Sequence, residues 1–113
     1  MHEMGVVIEI VKIADAKAKE EHAHGVKRLV LQLGQLSALV PELVEACFPA
    51  AVYETLLENA ELKIEVIPAN GLCLKCRQVF HVVENEFECP ACGSEEWDLL
   101  SGKEIIIKEI RVW

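Results

Sequence analysis

Four cysteines, Cys73, Cys76, Cys89 and Cys92, stand in the pattern C-x2-C-x12-C-x2-C and constrain this 113-residue chain more than any other feature. Each C-x-x-C turn sets two thiols on one side of a tight knuckle, and two facing knuckles make a tetrahedral donor set. The spacer is slightly shorter than is usual for such sites, yet long enough for a two-stranded hairpin. Leu72, Val79, Phe80 and Phe87 offer this segment a small apolar cap, too little core to fold alone, so metal binding supplies the missing stability. Four thiolates select soft or borderline ions. A closed four-coordinate site is typical of structural Zn(II), and a rubredoxin-type iron centre uses the same ligands, which spacing does not separate. Gly93 after Cys92 suits the positive φ that such knuckles need. His81 would replace a thiolate only in a rearranged site and reads as a solvated strand residue. A complete thiolate shell leaves no open position, which argues against catalysis at this metal.

Disulfides are the weaker reading of the same cysteines. Glu3, Glu9 and Lys12 interrupt the apolar stretch that an export signal would need, so the sequence predicts a cytoplasmic, reducing setting. No apolar run approaches the roughly 18 residues of a membrane span. Eleven Lys and Arg against nineteen Asp and Glu give a net charge of -8, the wrong sign for a phosphate binder. Around the cysteines the contrast is sharper, with Lys75 and Arg77 against Glu84, Glu86, Glu88, Glu95, Glu96 and Asp98. Nucleic acid is therefore excluded as a partner. An acidic zinc-ribbon protein-interaction module remains as an alternative, with Trp97 either its anchor or packed over the zinc knuckle.

The rest of the chain reads as a small α+β layer, two helices packed on a three-stranded sheet. After the first three residues, Val7, Ile10, Val11, Ala14 and Ala18 recur at helical spacing, widened by Val6, Ile8 and Ile13; the helix runs to about Glu21 and Gly25 ends it. Val26 to Leu33 alternates, with Leu29, Leu31 and Leu33 on one face and Arg28, Val30 and Gln32 on the other. Pro41 opens a second helix to about Asn59, its buried stripe formed by Leu43, Ala46, Cys47, Ala50 and Leu57, with a kink or break at Pro49. Leu62 to Ile67 and Ile105 to Val112 complete the sheet. A lone final strand has nothing to pair with unless it returns to the first sheet. The zinc-ribbon-like module, residues 70–102, is thus inserted into a domain formed by residues 1–69 plus 103–113, with turns at Asn70-Gly71 and Ser101-Gly102 as its boundaries.

The chain opens Met1-His2-Glu3. As a peptide this is a chelator: the terminal amine of Met1, the amide nitrogen of His2 and its imidazole close fused five- and six-membered rings, and Glu3 has an amide or carboxylate to add. Such a nitrogen-rich, near-planar set favours Ni(II) or Cu(II) over zinc. Against it stands the ordinary reading, a histidine in a frayed terminus. No H-E-x-x-H helix, P-loop or G-x-S-x-G elbow is present. His22 and His24 are two apart, on different sides of a helix. Cys47, between Ala46 and Phe48, has no activating neighbour. The chain reads as a non-enzyme.

Met1-His2-Glu3, the order of elements, Leu33-Gly34-Gln35-Leu36 after the first strand and Cys89-Pro-Ala-Cys92-Gly-Ser together resemble the HypA/HybF family of hydrogenase maturation nickel chaperones, over essentially the whole chain. The resemblance implies a carrier of Ni(II) as cargo to the large subunit of a [NiFe] hydrogenase, with some members also feeding urease. It implies His2 as the essential nickel ligand, Glu3 as a contributor to the site or to partner contact, structural zinc on the four cysteines, and a HypB-type GTPase as partner. Certain members carry an aspartate shortly after the first strand that adds to the nickel site; Val40 stands there in this chain and has no ligand atom in its side chain.

Overall fold

The computed structural model describes residues 2–113, and of His2 only the backbone; Met1 and the His2 side chain, both named above as nickel contacts, lie outside what is described. The element order is α1 (His2–Glu20), β1 (Val26–Gly34), α2 (Pro41–Ala51), β2 (Glu61–Ile67), β3 (Asn70–Cys73), β4 (Val79–His81), β5 (Trp97–Ser101) and β6 (Ile105–Val112). Two three-stranded sheets result, ordered β2-β1-β6 and β4-β3-β5. The chain divides into two compact units, one comprising the residues up to Gln32, Leu39–Glu65 and Ile106–Trp113, the other Leu33–Ala38 and Val66–Ile105.

In the first unit, α1 buries Val7, Ile10, Val11, Ala14 and Ala18, the stripe its spacing predicts. Ile8 and Ile13 point outward instead, at 37% and 57% exposure. The helix starts at His2, earlier than the sequence suggests, and it ends without Gly25. His22 takes the left-handed conformation, φ 57°, and a Schellman pair closes the last turn: Ala23 N–H to Ala18 C=O and His22 N–H to Lys19 C=O, both 3.0 Å. Gly25 serves a different purpose, since a Cβ there would lie 2.8 Å from the Trp113 ring. Asp15 on α1 accepts the Leu56 amide at 2.9 Å.

The second helix is shorter than its composition suggests. Pro49 falls in its last turn and the helix stops at Ala51, after which residues 52–59 form turns. Its inward face is Val44, Cys47 and Phe48, whereas Leu43, Ala46 and Ala50 are exposed. That rotation buries a valine and a phenylalanine in place of a leucine and two alanines, and puts the bulkiest side chain of the helix inside.

β1 lies between β2 and β6. Val30, expected outward, is 4% exposed, so the central strand is buried on both faces over much of its length. Arg28 meets Glu61 and Gln32 meets Glu65 at the same separation of 33 residues, so β1 and β2 run parallel with α2 as the crossover. Gly34 N–H to Glu104 C=O at one end and Trp113 N–H to Gly25 C=O at the other make β6 antiparallel to β1. The last strand thus returns to the first sheet.

The second unit is built on β3, antiparallel to β4 on one side and to β5 on the other. Its core is Ala69, Cys73, Phe80, Val82 and Cys89, with Leu36, Trp97 and Leu99 packed against it. Of the four residues expected to cap it, only Phe80 is buried; Val79 and Phe87 are exposed and Leu72 is half-buried. The spacer between the cysteine pairs holds one strand, β4, and not the expected two-stranded hairpin; β4 pairs with β3, which ends on Cys73, and β5 joins from beyond the second pair. Asn70-Gly71 is not a turn but the start of β3, where a Cβ on Gly71 would lie 2.8 Å from Val82 Cγ2.

Candidate metal centre

Two knuckles with the same backbone wiring present the four thiols. In the first, Arg77 N–H donates to Cys73 C=O at 3.0 Å and Cys73 N–H to Gln78 C=O at 2.9 Å. In the second, Gly93 N–H donates to Cys89 C=O at 2.7 Å and Cys89 N–H to Ser94 C=O at 2.9 Å. Each knuckle turns on a residue of positive φ, Arg77 at 64° and Gly93 at 74°. The glycine is legible in the sequence; the arginine is not, because nothing in its chemistry asks for that conformation. Its only signal is position, four residues after the first cysteine of its pair as Gly93 is of its own.

Among the described residues these four are the group able to hold a metal, their Sγ atoms all within 4.8 Å of one another. Cys73 and Cys92, and Cys76 and Cys89, are 3.5 Å apart, far beyond a disulfide bond. A zinc tetrahedron with bonds of about 2.3 Å has sulfur–sulfur edges of about 3.8 Å. Two of the separations lie about 0.3 Å short of that value and all lie within 4.8 Å, so the cluster fits a structural zinc site. The Cys73 thiol is lowered to about 6, first by the Cys76 amide and then by the Lys75 amide, which outweigh its burial. Cys76 is pushed up to about 12: the Gln78 amide favours its thiolate, but burial and the neighbouring sulfurs of Cys89, Cys73 and Cys92 prevail. The Cys73 thiolate therefore forms readily, whereas the cation must displace protons from Cys76 and Cys92, both raised.

Trp97 packs inside this unit. Its ring stacks on Phe87 at 6.4 Å and meets Phe80 edge-on at 6.2 Å, while Nε1 donates to the Phe87 carbonyl at 3.0 Å. His81 ends β4, exposed and outside the thiol group. Cys47 is buried in α2.

At the other candidate site, His2 is the first residue of α1 and Glu3 lies in its first turn, 6% exposed. Val40 precedes α2 in an extended conformation, with its side chain 44% exposed.

A family model described as hydrogenase/urease nickel incorporation, metallochaperone, HypA matches residues 1–112. The hydrogenase maturation factor HypA of Chlorobium limicola is 41% identical over 112 residues, 99% of this chain and 97% of that one. The factor of the same name from Prosthecochloris aestuarii is 40% identical over 110 residues, 97% of each chain. The solution structure of the nickel metallochaperone HypA from Helicobacter pylori superposes with a TM-score of 0.67 at 25% identity, over 97% of this chain and 96% of that one.

Proposed function

The chain belongs to the HypA family of hydrogenase/urease nickel-incorporation metallochaperones, and from that premise we propose that it binds Ni(II) at its N terminus and delivers it to the large subunit of a [NiFe] hydrogenase. The whole-length match carries this reading, because residues 1–112 include both Met1-His2-Glu3 and the four cysteines. The cargo and the resident metal then divide by ligand chemistry. The proposed nickel-carrying domain is residues 1–69 plus 103–113, of which residues 33–38, 66–69 and 103–105 pack in one unit with residues 70–102, which carry zinc on Cys73, Cys76, Cys89 and Cys92.

The start of a helix suits such a chelate. His2 opens α1, and the amide of a first helical residue has no carbonyl four residues earlier to bond. Nickel would displace its proton to solvent without breaking a helix hydrogen bond, and the resulting anionic nitrogen sits at the positive end of the helix dipole. Met1 supplies the terminal amine and His2 its imidazole. Glu3 contributes an amide or carboxylate to the site or to partner contact. With Val40 offering no side-chain ligand, water or a backbone atom completes the set.

Few protein ligands and a terminal position make a site that binds selectively yet releases. A HypB-type GTPase that draws on the first residues dismantles the chelate at once. The protein acts in the cytoplasm, as a carrier and not an enzyme, and serves the urease pathway where a cell has one. Metal titration of the native chain beside His2→Ala and an N-terminally extended form tests the site. Both changes should abolish stoichiometric nickel binding and leave zinc in place; nickel binding that survives both overturns it. Nickel release at the same rate with and without the GTPase would remove the release step.

A further inference from the structure

We infer that Gln35 and Leu36, which follow β1 and lie far from the cysteines in sequence, are positioning residues of the zinc-bearing unit, so that retention of its metal depends on them. The inference rests on reading the four cysteines as a resident zinc site. Its ground is the membership of Leu33–Ala38 in the same compact unit as Val66–Ile105.

Leu36 packs against a buried cluster in which Cys73 and Cys89 are themselves two of the five members. Removing it opens space against the cluster to which two of the donor residues belong. Gln35 acts through the backbone. Its side-chain Oε1 accepts the Ala69 amide at 2.9 Å, its own N–H donates to Ile67 C=O at 2.9 Å, and the Ala69 carbonyl accepts Val82 N–H at 2.9 Å. Ala69 immediately precedes β3, the strand that ends on Cys73. A bulge at Asn70 and Gly71 leaves the register of β3 against β5 irregular at that end, so the bonds on Ala69 fix where the strand begins and hence where Cys73 falls.

The chain passes here are interlocked. Leu36 N–H donates to Gly102 C=O at 2.8 Å, a Cβ on Gly34 would lie 2.0 Å from that carbonyl oxygen, and a Cβ on Gly102 would lie 2.4 Å from Ala69 Cα. Only glycines permit backbones to meet so closely. The Leu33-Gly34-Gln35-Leu36 motif thus closes the zinc-bearing unit from outside the cysteine span. Outer partners of a metal site govern how firmly the metal is held.

The test uses the full zinc-loaded chain and follows zinc transfer to a chromogenic chelator. Gln35→Ala and Leu36→Ala should each speed transfer about tenfold. Gln35→Glu, which keeps an acceptor oxygen for Ala69, and Leu36→Met, which keeps most of the volume, should return it towards the wild-type rate. Leu57→Ala, a core truncation in the other unit, should leave it unchanged. Hydrogen exchange gives a second readout: removing zinc should deprotect the amides of Leu36 and Ala69 together with that of Val82. Transfer at the wild-type rate in both alanine variants overturns the inference, as does equal acceleration by Leu57→Ala. A native chain that holds no zinc overturns instead the reading on which it rests.

Discussion

The two knuckles form a natural experiment at the scale of single residues. Arg77 and Gly93 occupy matched positions and both have positive φ, but only one is a glycine. A left-handed conformation costs a residue with a Cβ roughly 1–2 kcal/mol. Arg77→Gly should therefore stabilise the zinc-bearing unit by about 1 kcal/mol, and Gly93→Ala should destabilise it by about the same. No atom lies within 4 Å of a Cβ built on Gly93, so that cost is one of backbone alone. Zinc-loaded denaturation curves of the two variants should shift in opposite directions. Asp15 gives the other test at this scale. Burial raises its carboxyl, but the Leu56 amide and the Lys19 ammonium outweigh that and hold it below the usual carboxylate value. A depressed folded-state value means stability present above the unfolded value of about 3.9 and lost as pH falls through the folded one. Asp15→Ala should cost about 1–2 kcal/mol at neutral pH by orphaning the Leu56 amide, and the difference from wild type should narrow below pH 4.

Element by element, the sequence carries what depends on local pattern and misses what depends on neighbours. The buried stripe of α1 and the bounds of β6 are legible because apolar period and β-branching are properties of the segments themselves. The face of α2 is not, since two registers of its apolar residues are possible and packing selects the one with Val44 and Phe48 inward. Nor is the burial of Val30 legible, because it follows from β1 being central. The cysteine ligands could be read from spacing alone, but their support could not. Trp97, Leu99 and Leu36 reach the zinc core from outside the cysteine span, and contacts of such separation leave no periodic trace. A consequence follows for metal removal. The β4-β3-β5 unit has a five-residue core, two of whose members are thiols, so its strands depend on zinc as small metallo-domains do. α1 has a stripe of five buried residues of its own. A chelator should abolish amide protection in β3 and at Val82 while the far-UV helical signal persists. Simultaneous loss of both would contradict this.

For the molecule as a whole, two ions with different ligand preferences must share one chain without exchanging places. Four soft thiolates hold the borderline ion, and a nitrogen chelate at a helix start suits nickel. The net charge of -8 becomes more negative by two when four thiolates take one divalent zinc, which raises the local concentration of any free cation at low ionic strength. Attraction of that kind is unselective, so selection falls to the ligands, and acid should separate the two ions by how tightly each is held at neutral pH. At the proposed nickel site the amine and the imidazole, with ordinary values near 7.7–8.0 and 6.5, would each regain a proton as pH falls, and the His2 amide would regain a third. Nickel affinity should then fall at least about a hundredfold per pH unit below about 6.5. The zinc thiolates also take up protons as pH falls, but a structural site of this class starts from an apparent binding free energy of about 10–16 kcal/mol near pH 7, so zinc should be retained through that interval. Titrating the doubly loaded chain from pH 7.5 to pH 5.5, with both metals measured after desalting at each step, should show nickel leaving first and zinc remaining. An equal loss of the two, or a His2→Ala chain with the same nickel profile, would place the cargo on the cysteines and remove the division of labour proposed for the two ends of the sequence.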